Sequence, residues 1–129
     1  AGTFIEPTVL VGAKPSAKVV REEIFGPVVV ATPIRSIEEV PAIANDTEYG
    51  LSSGVMTRDE ARGLRIASRL DTGMCHINCS SVNDEPHVPF GGAKASGLGR
   101  HGGRWSHETF TETRWITLDR GHRPYPPMF

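Results

Sequence analysis

An α/β fold with a parallel sheet is the class that this sequence predicts, on three observations. The unbroken apolar, β-branched run at Val28–Ala31 is typical of a strand that is buried on both faces. Two later runs, at residues 54–57 and at Met74–Ile77, also favour short strands. Helical patterns separate the three runs. This alternation of strand and helix predicts crossover connections and one parallel sheet.

The helix between the first two strands is predicted to begin at Ser36, because Ser36 and Glu39 fit the N-cap and N3 positions of a capping box. Pro41 removes a backbone donor one turn later, which predicts a kink, and Gly50 is the predicted stop. Four apolar residues fall on one face of this helix: Ile37, Val40, Ile43 and Ala44.

The helix before the third strand is predicted to begin at Asp59, a residue type that accepts hydrogen bonds from the first turn. Gly73 separates it from the strand. Its expected buried face consists of apolar residues at helical spacing, namely Ala61, Leu64, Ala67 and Leu70.

Further elements lie on either side of this unit. Residues 7–11 predict an additional strand, and a short helix is predicted from Gly103. Residues 79–103 are rich in glycine and lack periodicity, which is typical of a long specialised loop. Residues 113–118 alternate in period two and predict a C-terminal strand. Such a strand pairs within its own chain or adds to the sheet edge of a partner, and the pattern leaves both open.

Composition and charge exclude several classes of protein. The 129 residues include 14 Lys and Arg against 15 Asp and Glu, and this balance offers no basic surface for nucleic acid or an anionic membrane. No apolar run has the ~20 residues of a membrane span, and no secretory leader is recognisable. The two cysteines make no disulfide framework, so we expect reduced thiols in the cytoplasm. The absence of an initial Met leads us to expect a piece of a longer chain.

Three features of the sequence have ordinary alternatives that we prefer. Residues 97–102 read G-x-G-x-x-G, but the dinucleotide fingerprint requires a buried strand directly before it, and a tight irregular loop fits the preceding glycines better. Four residues of types that bind zinc lie within residues 75–87, but they do not form two tight pairs, so no metal site is expected. Cys79 could act as a nucleophile, although a small thiol that lines a pocket is the more frequent outcome.

Glu23 and Phe25 form the most suggestive pair. In an extended segment they face the same side, and a carboxylate beside an aromatic plate suits a polyol that carries a flat ring, such as a nicotinamide riboside. A purely structural role for the two residues remains the alternative at this point.

Several ordered motifs resemble the aldehyde dehydrogenase superfamily. They are the stretches at residues 4–8, Glu22–Pro27 and 44–51, and the glycine-rich loop with Pro89–Gly92, Lys94, Ser96–Gly97 and Gly99–Arg100. The resemblance implies a three-layer αβα fold with a mainly parallel sheet, plus a C-terminal strand. Residues 1–112 would be the C-terminal part of the catalytic domain. Residues 113–129 would be an oligomerisation strand and tail that join subunits in a homo-oligomer, a dimer or a tetramer.

The resemblance also implies site roles. Glu23 would bind the ribose hydroxyls of NAD or NADP and Phe25 would pack near the nicotinamide, while Phe90 and the loop from Cys79 to His87 would line the substrate pocket. The family oxidises an aldehyde to the carboxylic acid through a cysteine thioester. The resemblance carries no catalytic residue over to this chain, so we expect the isolated fragment to be inactive. Residues 80–87 resemble members that oxidise aromatic aldehydes. The alternative is a non-catalytic assembly or binding module.

Overall fold

The computed structural model describes residues 2–121, in which short strands alternate with short helices. The strands are β1 (Thr8–Val11), β2 (Val28–Ala31), β3 (Tyr49–Gly50), β4 (Ser52–Val55), β5 (Met74–Ile77) and β6 (Ala93–Lys94). The helices are α1 (Lys18–Arg21), α2 (Val40–Asn45), α3 (Glu60–Ala67) and α4 (Gly103–Thr109), with a 3-10 turn at Ile37–Glu39. The predicted α/β class is therefore confirmed, and α1 is an element that the sequence patterns did not predict.

The strands pair in twos. β1 runs parallel to β2, β4 runs parallel to β5, and β3 pairs antiparallel with β6. The expectation of one sheet through the three central strands is not met within residues 2–121, because β2 pairs with β1 and not with β4. The prediction that β2 is buried on both faces is also wrong. Val28 and Val30 are half-buried, whereas Val29 and Ala31 face solvent because no described element covers their side.

The segment after β2 is broken into two short helical pieces. The Ser36 side chain caps the 3-10 turn by accepting a hydrogen bond from the Glu38 amide at 3.1 Å, whereas the Glu39 carboxylate accepts one from the Arg35 amide at 3.5 Å. Pro41 occupies the start of α2, where its missing donor costs no helical hydrogen bond. The helix ends at Asn45, so the predicted stop at Gly50 is wrong, and Gly50 lies in β3.

The helix α3 begins where the sequence predicts, since the Asp59 carboxylate accepts a hydrogen bond from the Arg62 amide at 2.9 Å. This bond is the main reason that the pKa of Asp59 lies below its ordinary value. The predicted buried face is partly wrong. Gly63 and Ile66 are buried, whereas Leu64 is 63% exposed.

The core of the described chain is small. Ile66, which is 9% exposed, is the one large apolar side chain that is buried among residues 2–121. The faces of β1 and β2 and the segment after α4 remain open to solvent. No strand forms at residues 113–118 in the described chain, where Trp115 is 91% and Ile116 is 78% exposed. A strand requires a partner backbone, and none of the described segments lies alongside this one. Residues 122–129 of the predicted tail lie outside the described residues.

Candidate functional site

The segment that links α1 to β2 carries Glu23 and Phe25 and has no regular secondary structure. Phe25 adopts a left-handed backbone conformation with φ +52°, so the extended geometry from which we predicted a shared side is wrong. The two residues nevertheless line the same open cavity of about 600 Å³. A left-handed conformation at a bulky residue is costly, and such residues concentrate at functional sites.

The Glu23 carboxylate is free. Within residues 2–121 no ion pair or side-chain hydrogen bond engages it, whereas the neighbouring Glu22 carboxylate lies 3.9 Å from the Lys18 ammonium. Glu23 also lines a second cavity, of about 700 Å³, between the ends of α1 and α2 and the start of β4. An unpaired carboxylate at the rim of two cavities is available to accept hydrogen bonds from a ligand.

Tyr49 lies near this carboxylate, and the sequence analysis did not single it out. The negative charge of the adjacent Glu48 raises the pKa of the Tyr49 phenol, partial burial adds to that shift, and the charges of Glu23 and Glu22 contribute less. The Tyr49 side chain lines the same cavity as Glu23. A phenol can donate one hydrogen bond, and the adjacent Glu48 carboxylate contributes to the raised pKa as an acceptor as well as through its charge.

The glycine-rich loop is closed at its base. The Phe90 amide donates to the His101 carbonyl at 2.8 Å, and the His101 amide donates to the Phe90 carbonyl at 2.7 Å. The guanidinium of Arg100 donates to the carbonyls of Gly92 and Gly99, at 2.8 and 2.7 Å. Arg100 therefore helps to hold the loop together.

Phe90 lines a mainly apolar cavity of about 300 Å³. Its apolar lining residues include Leu51, Met74 and Val82, and its polar lining residues are Ser52, Ser81, Asn83 and Asp84. Cys79 does not line this cavity. Its exposed thiol is linked to it indirectly, because the Asn83 amide lies 3.8 Å from the Cys79 sulfur. Of the two predicted pocket residues, Phe90 lines the cavity and Cys79 contacts another lining residue, Asn83.

A model described as "Aldehyde dehydrogenase family" matches residues 1–116 of this sequence. The chain belongs to the aldehyde dehydrogenase family. It is 47% identical over 125 residues to a benzaldehyde dehydrogenase of Bacillus subtilis, and the match covers 97% of this chain and 26% of that protein. This aldehyde dehydrogenase chain thus spans about a quarter of the length of that relative.

Two solved aldehyde dehydrogenases show the same fold. A salicylaldehyde dehydrogenase from Pseudomonas putida G7, complexed with salicylaldehyde, is 41% identical, with a TM-score of 0.86 over 92% of this chain and 24% of that one. The Mycobacterium tuberculosis aldehyde dehydrogenase complexed with NAD+ is 39% identical, with a TM-score of 0.86 over 95% of this chain and 25% of that one. The likeness covers the candidate site segments and the glycine-rich loop.

The alternative motifs have structural explanations in this aldehyde dehydrogenase chain. The G-x-G-x-x-G stretch forms an irregular loop, and the strand before it, β6, is a two-residue piece paired antiparallel with β3 and not the buried parallel strand that a dinucleotide fingerprint requires. No cluster of three His, Cys, Asp or Glu side chains suited to a metal occurs within residues 2–121. None of the helices described there has the length and apolar character that a bilayer crossing requires.

Three polar residues to which the sequence patterns assigned no role of their own connect the site segments of this aldehyde dehydrogenase chain: Arg21, Asn45 and Lys94. The Arg21 guanidinium donates to the carbonyl and the carboxylate of Asp46, and the Lys94 ammonium donates to the carbonyls of Asn45 and Thr47. The partners lie between 25 and 49 residues apart in the sequence. Neither helical nor strand periodicity relates positions so far apart, so the pattern of residues held no indication of these bonds.

Proposed function

We propose that this chain forms one wall of the nicotinamide end of the coenzyme site in an NAD(P)-dependent aldehyde dehydrogenase, which oxidises an aldehyde to the carboxylic acid. The observation that carries the proposal is the free Glu23 carboxylate, which lines one cavity together with the 92%-exposed ring of Phe25. A carboxylate can accept hydrogen bonds from two ribose hydroxyls, and an aromatic ring can pack against a flat heterocycle. When bound, the nicotinamide accepts the hydride.

The chemical step would depend on residues outside this chain. Cys75 is half-buried in β5, and Cys79, although exposed, has a side-chain amide and no base as its polar neighbour within residues 2–121. A nucleophilic thiol requires an adjacent base or a positive field. We therefore propose that the cysteine that forms the thioester and the general base belong to other parts of the whole enzyme, and that this chain alone is inactive.

We place residues 1–112 in the C-terminal part of the catalytic domain, within a three-layer αβα arrangement. The open faces of β1 and β2 support this placement, because a parallel sheet is normally covered on both faces. The free thiols of Cys75 and Cys79 support the cytoplasm as the compartment, where cysteines stay reduced.

An aromatic aldehyde is the substrate class that we propose. The cavity beside Phe90 is mainly apolar and, at about 300 Å³, has room for one substituted ring, and the polar residues among those that line it could meet a polar substituent. Relatives described as acting on benzaldehyde and salicylaldehyde support the same class. The substrate test is the oxidation of benzaldehyde against a straight-chain aldehyde by the full-length protein that carries these residues, followed as NADH formation.

The Glu23→Gln variant of that full-length protein tests the coenzyme role. Glutamine keeps the shape but loses the charge, so we expect the KM for NAD+ to rise by about 10- to 100-fold, the range for losing charge-assisted hydrogen bonds. The kcat at saturating NAD+ should change much less. The matched control is Glu22→Gln, because the Glu22 carboxylate lines the same two cavities but lies 3.9 Å from the Lys18 ammonium, whereas the Glu23 carboxylate is unpaired within residues 2–121. Equal effects of the two variants, or no NADH formation from any aldehyde by the unaltered protein, would refute the proposal.

We further propose that residues 113–119 add a strand to the sheet of a second subunit. The apolar side chains of Trp115, Ile116 and Leu118 are mainly exposed, and an alternating segment without a partner backbone is suited to pairing at a foreign sheet edge. This exposure also favours the second candidate function, a non-catalytic assembly module. Native mass separates the two: a chain of several hundred residues supports the enzyme, whereas a 14.0 kDa chain supports the module.

The Ile116→Asp variant should shift the mass in sedimentation from that of an oligomer toward that of one subunit, because a buried unpaired charge at a subunit contact is costly. Thr117→Asp introduces the same charge on the opposite face of a strand and serves as the control. If Ile116→Asp leaves the oligomer intact, the contact lies elsewhere.

A further inference from the structure

The segment that carries Glu23 and Phe25 is not held in place by regular secondary structure. The helix α1 that precedes it has four residues and no side-chain N-cap bond, which is far below the length at which an isolated helix is stable. Phe25 is in the left-handed region. The conformation at Glu23 and Phe25 must therefore be imposed by contacts on either side, and β2 provides only the later anchor.

The earlier anchor is Arg21, the last residue of α1. Its Nε donates to the Pro15 carbonyl at 2.8 Å, Nη1 donates to the Asp46 carbonyl at 2.7 Å, and Nη2 donates to the Asp46 carboxylate at 2.6 Å. All three nitrogens of the guanidinium are thus engaged, and its rigid fork fixes the direction of each bond. Glu23 follows only two residues later.

The turn that receives Arg21 is itself held from two other directions. The Asn45 amide donates to the Arg69 carbonyl at 2.8 Å and accepts from the Asp71 amide at 2.9 Å, which ties the turn to the end of α3. The Lys94 ammonium donates to the carbonyls of Asn45 at 2.9 Å and Thr47 at 3.2 Å, which ties the turn to the glycine-rich loop. Arg21 therefore connects the segment that carries Glu23 and Phe25 to a turn that other hydrogen bonds already hold in place.

We infer that Arg21 is a positioning residue for coenzyme binding, which acts by locking the segment with Glu23 and Phe25 to the turn at residues 45–47. The inference rests on the proposed function of that segment. Arg21 itself need not touch the coenzyme. The hydrogen bond and charge of its guanidinium hold the pKa of the Asp46 carboxyl below its ordinary value of 3.8, so the ion pair persists at neutral pH.

The test compares Arg21→Ala with Lys18→Ala in the full-length protein. Both variants remove one positive charge from the same short helix, but within residues 2–121 the ion pair of the Lys18 ammonium is with the exposed Glu22 carboxylate, at 3.9 Å. Calorimetry with NAD+ should show the Kd raised roughly tenfold in Arg21→Ala, the loss expected for a displaced set of hydrogen bonds, and unchanged in Lys18→Ala. Arg21→Lys, which keeps the charge but not the fork, should fall between. The KM for NAD+ should rise more than kcat falls.

An unchanged Kd in Arg21→Ala overturns the inference, and so does an equal weakening in Lys18→Ala, which would show an effect of charge alone. If circular dichroism shows that Arg21→Ala is unfolded, Arg21→Lys and Asp46→Ala decide: wild-type affinity in both overturns the inference, and weakened affinity in both supports it. Failure of the unaltered protein to bind NAD+ is a separate outcome, since it refutes the proposed function before any variant is compared.

Discussion

Replacing Gly73 with alanine is expected to destabilise the protein by on the order of 4 kcal/mol or more, because the added methyl group has no room. A Cβ at Gly73 would overlap the carbonyl oxygen of Gly91 and lie 3.0 Å from the Cα of Gly92. Both contacts are with backbone, which cannot rotate away as a side chain does. The Gly73 amide also donates to the Gly50 carbonyl at 2.9 Å, which ties the Gly73 side of the contact to β3.

Urea denaturation of Gly73→Ala measures the loss, and the matched control is Gly121→Ala, where a Cβ would meet no atom within 4 Å. We also expect Gly73→Ala to expose the glycine-rich loop to limited proteolysis, because Gly91 and Gly92 begin that loop. A denaturation midpoint equal to that of the control would show that Gly73 and Gly91 are not in contact in solution.

The Ile66→Ala variant is expected to lower the free energy of unfolding by about 2–5 kcal/mol, the range for truncating a buried aliphatic side chain. Ile66 lies on the buried face of α3, and the loss should appear as a lower urea midpoint with an unchanged m-value. Leu64→Ala on the same helix is the control. Since Leu64 is 63% exposed, its truncation should cost less than about 1 kcal/mol. A larger loss of stability in Leu64→Ala than in Ile66→Ala would mean that the opposite face of α3 is the buried one.

The buried face of α3 could not be predicted from helical periodicity alone. Helical periodicity places Ala61 and Leu64 on one apolar face and predicts that this face is buried. A glycine does not count as apolar in such a pattern, so Gly63 was not predicted to be buried. In the structure Gly63 is buried against its neighbours: a Cβ at this position would lie only 3.0 Å from the Thr57 methyl and 3.1 Å from the Ile77 side chain. Close approach to β5, not apolar content, selects the face. Periodicity in a single chain cannot identify such a contact.

Strand positions were predicted better than strand pairing. The runs at Thr8–Val11, Val28–Ala31 and Met74–Ile77 are strands because β-branched and apolar side chains favour extended backbone. Their partners depend on which segments are present to cover each face and edge. That information lies in the rest of the fold, so the alternation predicted the class and not the pairing.

The candidate site was predicted through its motifs and not through its geometry. Glu23, Phe25 and Phe90 were recognised because ordered motifs surround them, and the structure places Glu23 and Phe25 on one cavity. The left-handed conformation of Phe25 had no indication in the sequence, since only glycine and asparagine commonly mark such positions. The bond from Arg21 to Asp46 requires knowledge of the fold, because it joins residues whose sequence separation is 25.

The bond between Lys94 and Asn45 has a consequence for the order of events on the ribosome. The two residues are separated by 49 positions, so the turn that carries Asn45 is synthesised well before its lysine partner. At a translation rate of roughly 5–20 residues per second, the interval is about 2–10 s. During that time β3 lacks β6, its only strand partner in the described chain, and the edge of β3 stays unpaired.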